Sequence, residues 1–212
     1  GVEAFRSPRI LVLLLSHDWL AVGLLAVGLT FVILTAGIDL SVGSTLALSA
    51  IAFGLVWKNT GNTALALLAG IGTGAAAGAL NGVLIAGARI PALIVTLATL
   101  SVYRGLAAGL GGGESIGRFD PRLVELAGTT FVKVPLPAWL LAALIAGSGV
   151  YLARTAGGRA IYARGANDAA AQLAGVPTRR IRFRIYTMSG LLAGIAAIAY
   201  AALNNTVKAD VG

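Results

Sequence analysis

One carboxylate, Asp39, interrupts the otherwise uncharged stretch from Leu20 to Trp57. An acid among so many apolar residues is costly, and the default expectation for it is a functional role. Asp39 and Ser41 are also good N-cap types for a helix beginning near Val42, so two roles stand side by side: a cap that fixes a turn, or a group that meets a ligand or a gating partner. A proton relay carries less weight, because no second titratable group stands near Asp39 in the sequence.

Further along, Asn81 breaks a run of small apolar residues, and Thr96, Thr99 and Ser101 decorate the next one. Such side chains offer modest hydrogen bonds to a hydroxyl-rich molecule. Each also has a plainer use, since Asn bonds between helices and Thr or Ser bonds back to the carbonyl one turn earlier. Arg104 lies near the end of its run, where a long basic side chain reaches for the membrane surface.

A third group lies between Arg154 and Arg184. Asn167 suits an N-cap, Asp168 the first helical turn, Ala169, Ala170, Ala171 and Leu173 propagate, and Gly175, Val176 and Pro177 end the helix. A short surface helix is expected there. Enzymatic chemistry finds no support: the sequence lacks GxxxxGK(S/T), it contains no cysteine, and its one histidine, His17, cannot build a metal site alone.

The elements that must position these residues are membrane helices. Of 212 residues 58% are hydrophobic and only 11% charged, with a mean hydropathy of +0.88, whereas soluble domains carry charge on about a quarter of positions. Six uncharged runs are long enough for spans of about 20 residues. They are Leu20–Ile38, Leu40–Trp57, Asn59–Ala88, Ile90 through Arg104 to Gly113, Val134–Ala153 and Ile185–Val207. The first two together would make a straight helix about 57 Å long, so the chain turns near Asp39, where Gly37 and Gly43 supply backbone freedom. Gly70, Gly74, Gly78 and Gly82 recur every fourth residue and line one helix face, a packing device that Gly190 and Gly194 repeat.

The net charge of +8 does not indicate nucleic acid, which needs a basic face on a soluble domain. Seven arginines against the single acid Asp168 crowd the segment from Arg154 to Arg184. That asymmetry marks a cytoplasmic segment, set at residues 155–182, and alternation puts residues 111–136 outside. In the outer segment Arg118, Arg122 and Lys133 are balanced by Glu114, Asp120 and Glu125. The fold class expected is an all-α polytopic transmembrane bundle of about six spans, a single domain over residues 1–212.

Three stretches carry a resemblance: TAGIDLSVGS from Thr35 to Ser44, RIPALIVTLATLSVYRGLA from Arg89 to Ala107, and GRAIYARGANDAAAQLAGVPTRRIRFRIYTMSGLLAGIAA from Gly158 to Ala197. In order and spacing they resemble the permeases of the ribose, xylose and rhamnose class of bacterial ABC importers, within the branched-chain amino acid and sugar permease superfamily. The resemblance implies a permease subunit of the inner membrane that works with separate ATPase subunits, a second permease copy or homologue, and a periplasmic or lipid-anchored sugar-binding protein, with membrane lipid around it. ATP and magnesium would belong to the ATPase, with no cofactor in this subunit, and Asn167–Pro177 would be the helix that docks on it. Members of the family usually have further spans on both sides, so a partial permease is expected. Two competitors stand beside this expectation: a secondary transporter with an ion site at the Asp39 break, and a membrane scaffold that moves no solute.

Overall fold

The computed structural model describes residues 8–132 and 134–211, with side chains from residue 19 onward. The side chains of His17 and Lys133 lie outside that description. Nine helices carry the fold among the described residues: α1 (Pro8–Leu34), α2 (Val42–Thr60), α3 (Thr63–Gly82), α4 (Ala92–Gly111), α5 (Pro121–Gly128), α6 (Leu136–Arg154), α7 (Ala156–Ala166), α8 (Asp168–Leu173) and α9 (Thr178–Asn204). The fold is all-α and polytopic. Its β structure among those residues is two short antiparallel ribbons, β1 (Ile116–Gly117) with β4 (Thr206–Val207) and β2 (Thr130–Phe131) with β3 (Val134–Pro135).

Six long helices occupy the six apolar runs. Four of these segments are long and apolar enough to cross a membrane: Thr63–Gly87, Ala92–Gly111, Leu136–Arg154 and Thr178–Asn204. The described apolar part of α1, Trp19–Leu34, is shorter. For α2 the reason is packing, because Ser44, Thr45, Ser49, Ala47 and Ala50 are buried against neighbouring helices rather than exposed to hydrocarbon. A helix enclosed by protein needs less hydropathy than one facing lipid.

The core is built on α9. It packs on α1, α2 and α3, and 67% of its apolar window is buried, against 6% for the peripheral α6. Ala196, Ala197 and Ala201 of α9 meet Leu46, Ala50 and Phe53 of α2 with Ala66 of α3 in the main cluster. The α3–α9 contact is closest at the glycines. A Cβ added to Gly74 would lie 2.8 Å from the Gly194 Cα, and one added to Gly78 would lie 2.9 Å from the Gly190 Cα. Gly70 faces Phe53 and Ile198, and Gly82 faces Phe183, so the same stripe continues along both helices.

The two ends of the bundle differ in charge. At one end the α2–α3 turn meets the segment before α6: Lys58 pairs with Glu114 at 3.1 Å, and the Thr63 hydroxyl donates to Asp120 at 2.6 Å. That bond, with one from the Arg122 amide, holds the Asp120 carboxyl below its ordinary range. At the other end lie the α1–α2 break, the α3–α4 turn, α8, and the arginines of α7 and of the start of α9.

Several expectations change in detail. The left-handed residue of the α1–α2 break is Ala36 (φ 51°), not a glycine; Gly37 is needed for space, since a Cβ there would lie 2.8 Å from the Tyr186 hydroxyl. Run Asn59–Ala88 does not end as a plain α-helix but in a π-helical turn, Val83–Gly87. The last helix begins at Thr178 rather than Ile185, because Arg179, Arg180, Arg182 and Arg184 propagate helix as readily as apolar residues do. Arg104 donates from Nη1 to the carbonyls of Ala209 (3.3 Å) and Val211 (2.9 Å) instead of simply reaching outward. Its guanidinium thereby ties α4 to the segment that follows β4.

Candidate functional site

Asp39, Ser41 and Asn81 are brought together at the α1–α2 break. Ser41 is the N-cap residue of α2, but its side chain makes no capping bond to the helix. Instead Asp39 Oδ1 accepts from the Ser41 amide (3.0 Å) and hydroxyl (2.6 Å), a local turn set one residue ahead of α2. Asn81 Nδ2 then donates to Ser41 Oγ at 2.8 Å, which binds α3 to the break.

Two residues outside the sequence candidates complete this network. The Ser189 hydroxyl of α9 donates to Asp39 Oδ2 at 3.2 Å, and the Tyr103 hydroxyl of α4 donates to Asn81 Oδ1 at 3.3 Å and to the Ala77 carbonyl at 3.0 Å. Tyr186 adds a bond from its hydroxyl to the Ile38 carbonyl at 3.0 Å. Asp39, Ser41, Asn81, Tyr103 and Ser189 are all buried, so a hydrogen-bonded chain runs from α9 through the break and α3 to α4. Satisfied buried networks of this kind fix one arrangement of the helices they join.

The α4 candidates do not join that chain. Thr96 bonds back to Ala92 at 2.9 Å and Thr99 to Val95 at 3.0 Å, both on the buried face of α4. Ser101 is exposed and bonds weakly to Leu97.

The second cluster lies on α7 and α8. Asn167 caps α8 by accepting from the Ala170 amide at 3.0 Å, and Asp168 opens its first turn. At the other end Gly175 (φ 82°) closes the helix, with Gly175 N–H bonded to Gln172 O (3.1 Å) and Val176 N–H to Ala171 O (3.0 Å). This pair of bonds is a Schellman stop, which needs a left-handed residue such as glycine. Ala169 and Ala170 are exposed, Ala171 is buried, and Leu173 is 91% exposed. Pro177 leads directly into α9.

Helix α7 has no counterpart in the sequence expectation. From it Arg164 reaches inward, donating from Nη1 to the Thr35 carbonyl at the end of α1 and pairing through Nε with Asp168 at 3.3 Å. Arg182 pairs with the other Asp168 oxygen at 3.2 Å. The short helix α8 is thus held to the break by charged contacts, while its apolar tip projects.

A bundle of apolar helices with a broken first pair, a buried polar joint and a projecting doubly capped helix can now be compared with known proteins. The family described as "Branched-chain amino acid transport system / permease component" matches residues 13–212. The chain belongs to that permease family. It is therefore a multi-pass protein of the inner membrane. The autoinducer 2 import system permease protein LsrC of Klebsiella pneumoniae is 44% identical over 84% of this permease and 52% of its own length. LsrD of Photorhabdus laumondii is 33% identical over all of this chain and 66% of its own, and the L-arabinose ABC transporter permease protein AraH of Azospirillum brasilense is 36% identical over 93% and 58%. This permease chain spans about half the length of the LsrC proteins it matches. No solved structure matches it significantly.

Proposed function

We propose that this chain is the membrane-spanning part of an ATP-driven ABC importer that moves a monosaccharide or similar small solute across the inner membrane. The observation that carries the proposal is α8: a helix of six residues, stopped at both ends, with Leu173 bare at its tip. Such a helix moves as a rigid unit and offers an apolar knob to a groove on another protein. The proposed partner is an ABC ATPase, present in two copies under a pair of permeases, with ATP and magnesium held there and no cofactor in this subunit. A periplasmic or lipid-anchored binding protein delivers solute from outside. The relatives named as import permeases for autoinducer 2 and L-arabinose support the solute class.

In this proposal Asp39 serves the break rather than the solute, because its two oxygens are engaged by Ser41 and Ser189 inside the protomer. Asn81 and Ser41 share that duty, and Thr96 and Thr99 shape the buried face of α4. Ser101 is left as the exposed hydroxyl of the set, suited to a path between two permease copies.

The arginine excess supports an orientation with α7 and α8 in the cytoplasm. Single cysteines at Glu125 and Arg180, both exposed, test it in a chain without native cysteine. A membrane-impermeant maleimide added to intact cells is expected to label position 125 and spare position 180. The reverse pattern would invert the topology.

The docking role is tested by Gly175→Val, which removes the left-handed stop, and Ala170→Arg, which adds bulk to the exposed small-residue face. Neither change touches a span. Both variants are expected to insert normally and to lose at least about tenfold in affinity for the co-expressed ATPase, the effect of about 1.4 kcal/mol at an interface. Wild-type co-purification of both would remove α8 from the docking surface.

A further inference from the structure

At the arginine-rich end the α1–α2 break, the α3–α4 turn and α7 converge on a cavity of about 190 Å³, lined by Thr35, Ala36, Arg89, Arg164, Arg182 and Tyr186 among others. Its charge does not balance. A second cavity adjoins it through Arg89 and Arg182 and adds Arg179 and Asp168. Among the described residues lining the two, four guanidinium groups face one carboxylate, and Asp168 is itself half exposed at 49%.

The most enclosed of these cations is Arg164, only 6% exposed: its Nη1 donates to the Thr35 carbonyl, and its Nε faces Asp168 at 3.3 Å without the alignment of a hydrogen bond. Burial, and then the neighbouring charge of Arg182, lower its affinity for its proton, which Asp168 only partly offsets. Burying a guanidinium beside that of Arg182 is unfavourable unless negative charge accompanies it, and the two share a single half-exposed carboxylate, Asp168. The backbone carries strain at the same place. Ala36 (φ 51°) and Arg89 (φ 58°) are both left-handed non-glycine residues, and both line this cavity. Such conformations persist where the surrounding structure holds a functional geometry.

We propose that this cavity binds a phosphate-type oxyanion, held by the guanidinium groups of Arg89, Arg164 and Arg182. Guanidinium forks match tetrahedral oxyanions in geometry and charge. The space is sufficient for one such anion with a few waters, since a water occupies about 30 Å³. Free phosphate compounds and phospholipid headgroups share this chemistry. The bound anion competes with Asp168 for Arg164 and Arg182, so it acts on the contact that holds α8 to the rest of the bundle.

The test is equilibrium binding of radiolabelled inorganic phosphate to the full-length protein in phosphatidylcholine nanodiscs, at constant ionic strength with chloride as the replaced anion. Saturable binding of one phosphate per chain is expected. Arg89→Asn keeps a residue that accepts the left-handed backbone, and loss of one charge-assisted contact is expected to weaken binding by about tenfold or more. Asp168→Asn removes the competing carboxylate and is expected to tighten it. Because Arg89 is exposed, its variant also tests the site without disturbing the packed core. In phosphatidylglycerol discs, weaker phosphate binding identifies a lipid headgroup as the natural occupant, and unchanged binding identifies a free anion; the site stands in either case. Absence of saturable binding in phosphatidylcholine discs, or wild-type affinity in both variants, would overturn the proposal.

Discussion

A leucine at Gly78 is expected to abolish accumulation of folded protein, while a leucine at Gly72 is tolerated. The two positions lie on the same helix and differ in what a side chain would meet. At Gly78 a Cβ would collide with the Gly190 backbone, its Cα lying 2.9 Å away, whereas at Gly72 nothing lies within 4 Å. Backbone cannot move aside as a side-chain end can, so the cost at Gly78 is at least about 3 kcal/mol, the upper range for overpacking in a core. Gly74→Leu is expected to behave like Gly78→Leu, because it meets Gly190 and Gly194 together. Monodisperse, wild-type size-exclusion profiles for both Gly74→Leu and Gly78→Leu would show that the α3–α9 seam is not where the model of packing puts it.

Removing the carboxylate of Asp39 is the second large effect. Asp39→Ala strips acceptors from the Ser41 amide, the Ser41 hydroxyl and the Ser189 hydroxyl, all buried. Each unsatisfied buried group costs about 1–3 kcal/mol, so a loss of about 3 kcal/mol or more is expected for the set. Asp39→Asn keeps one acceptor oxygen and a side chain that suits the turn, and is expected to retain most of the stability. Thermal unfolding in detergent separates the two. Uptake decides the role: transport retained with Asn and lost with Ala assigns Asp39 to the break, and equal loss with both assigns the charge to transport.

The long helices are legible in the sequence because hydrocarbon imposes a length on any apolar run, and the charges between Leu20 and Val207 fall at run ends with few exceptions. The α3–α9 seam is legible for a similar reason, since glycines at every fourth position share a face whatever the partner helix is. The end of α8 at Gly175 follows from the same backbone rule that makes glycine the usual left-handed stop.

Other parts depend on tertiary contact and leave a weaker trace. Ser189 has the sequence neighbourhood of an ordinary span residue, and only its place beside Gly190, at the closest part of the seam, hints that another element comes within hydrogen-bond reach. Nothing in the sequence singles out Tyr103 beside Arg104, yet it is buried and its hydroxyl reaches Asn81 across the bundle. The π-turn at Val83–Gly87 and helix α7 have no composition that separates them from plain α-helix and loop. Arg164 looked at in sequence is one more positive charge of the segment, and its burial against Thr35 appears only when α7 is folded onto the end of α1.

Solute uptake into proteoliposomes containing the full-length permease, measured with and without its ATPase, bears most directly on the central claim. With the ATPase, ATP inside and solute-loaded binding protein outside, accumulation is expected, and it is expected to vanish when the ATPase is omitted or when Gly175→Val replaces the wild-type permease. Accumulation that persists without any ATPase would contradict the account and make the break at Asp39 part of a secondary transporter instead.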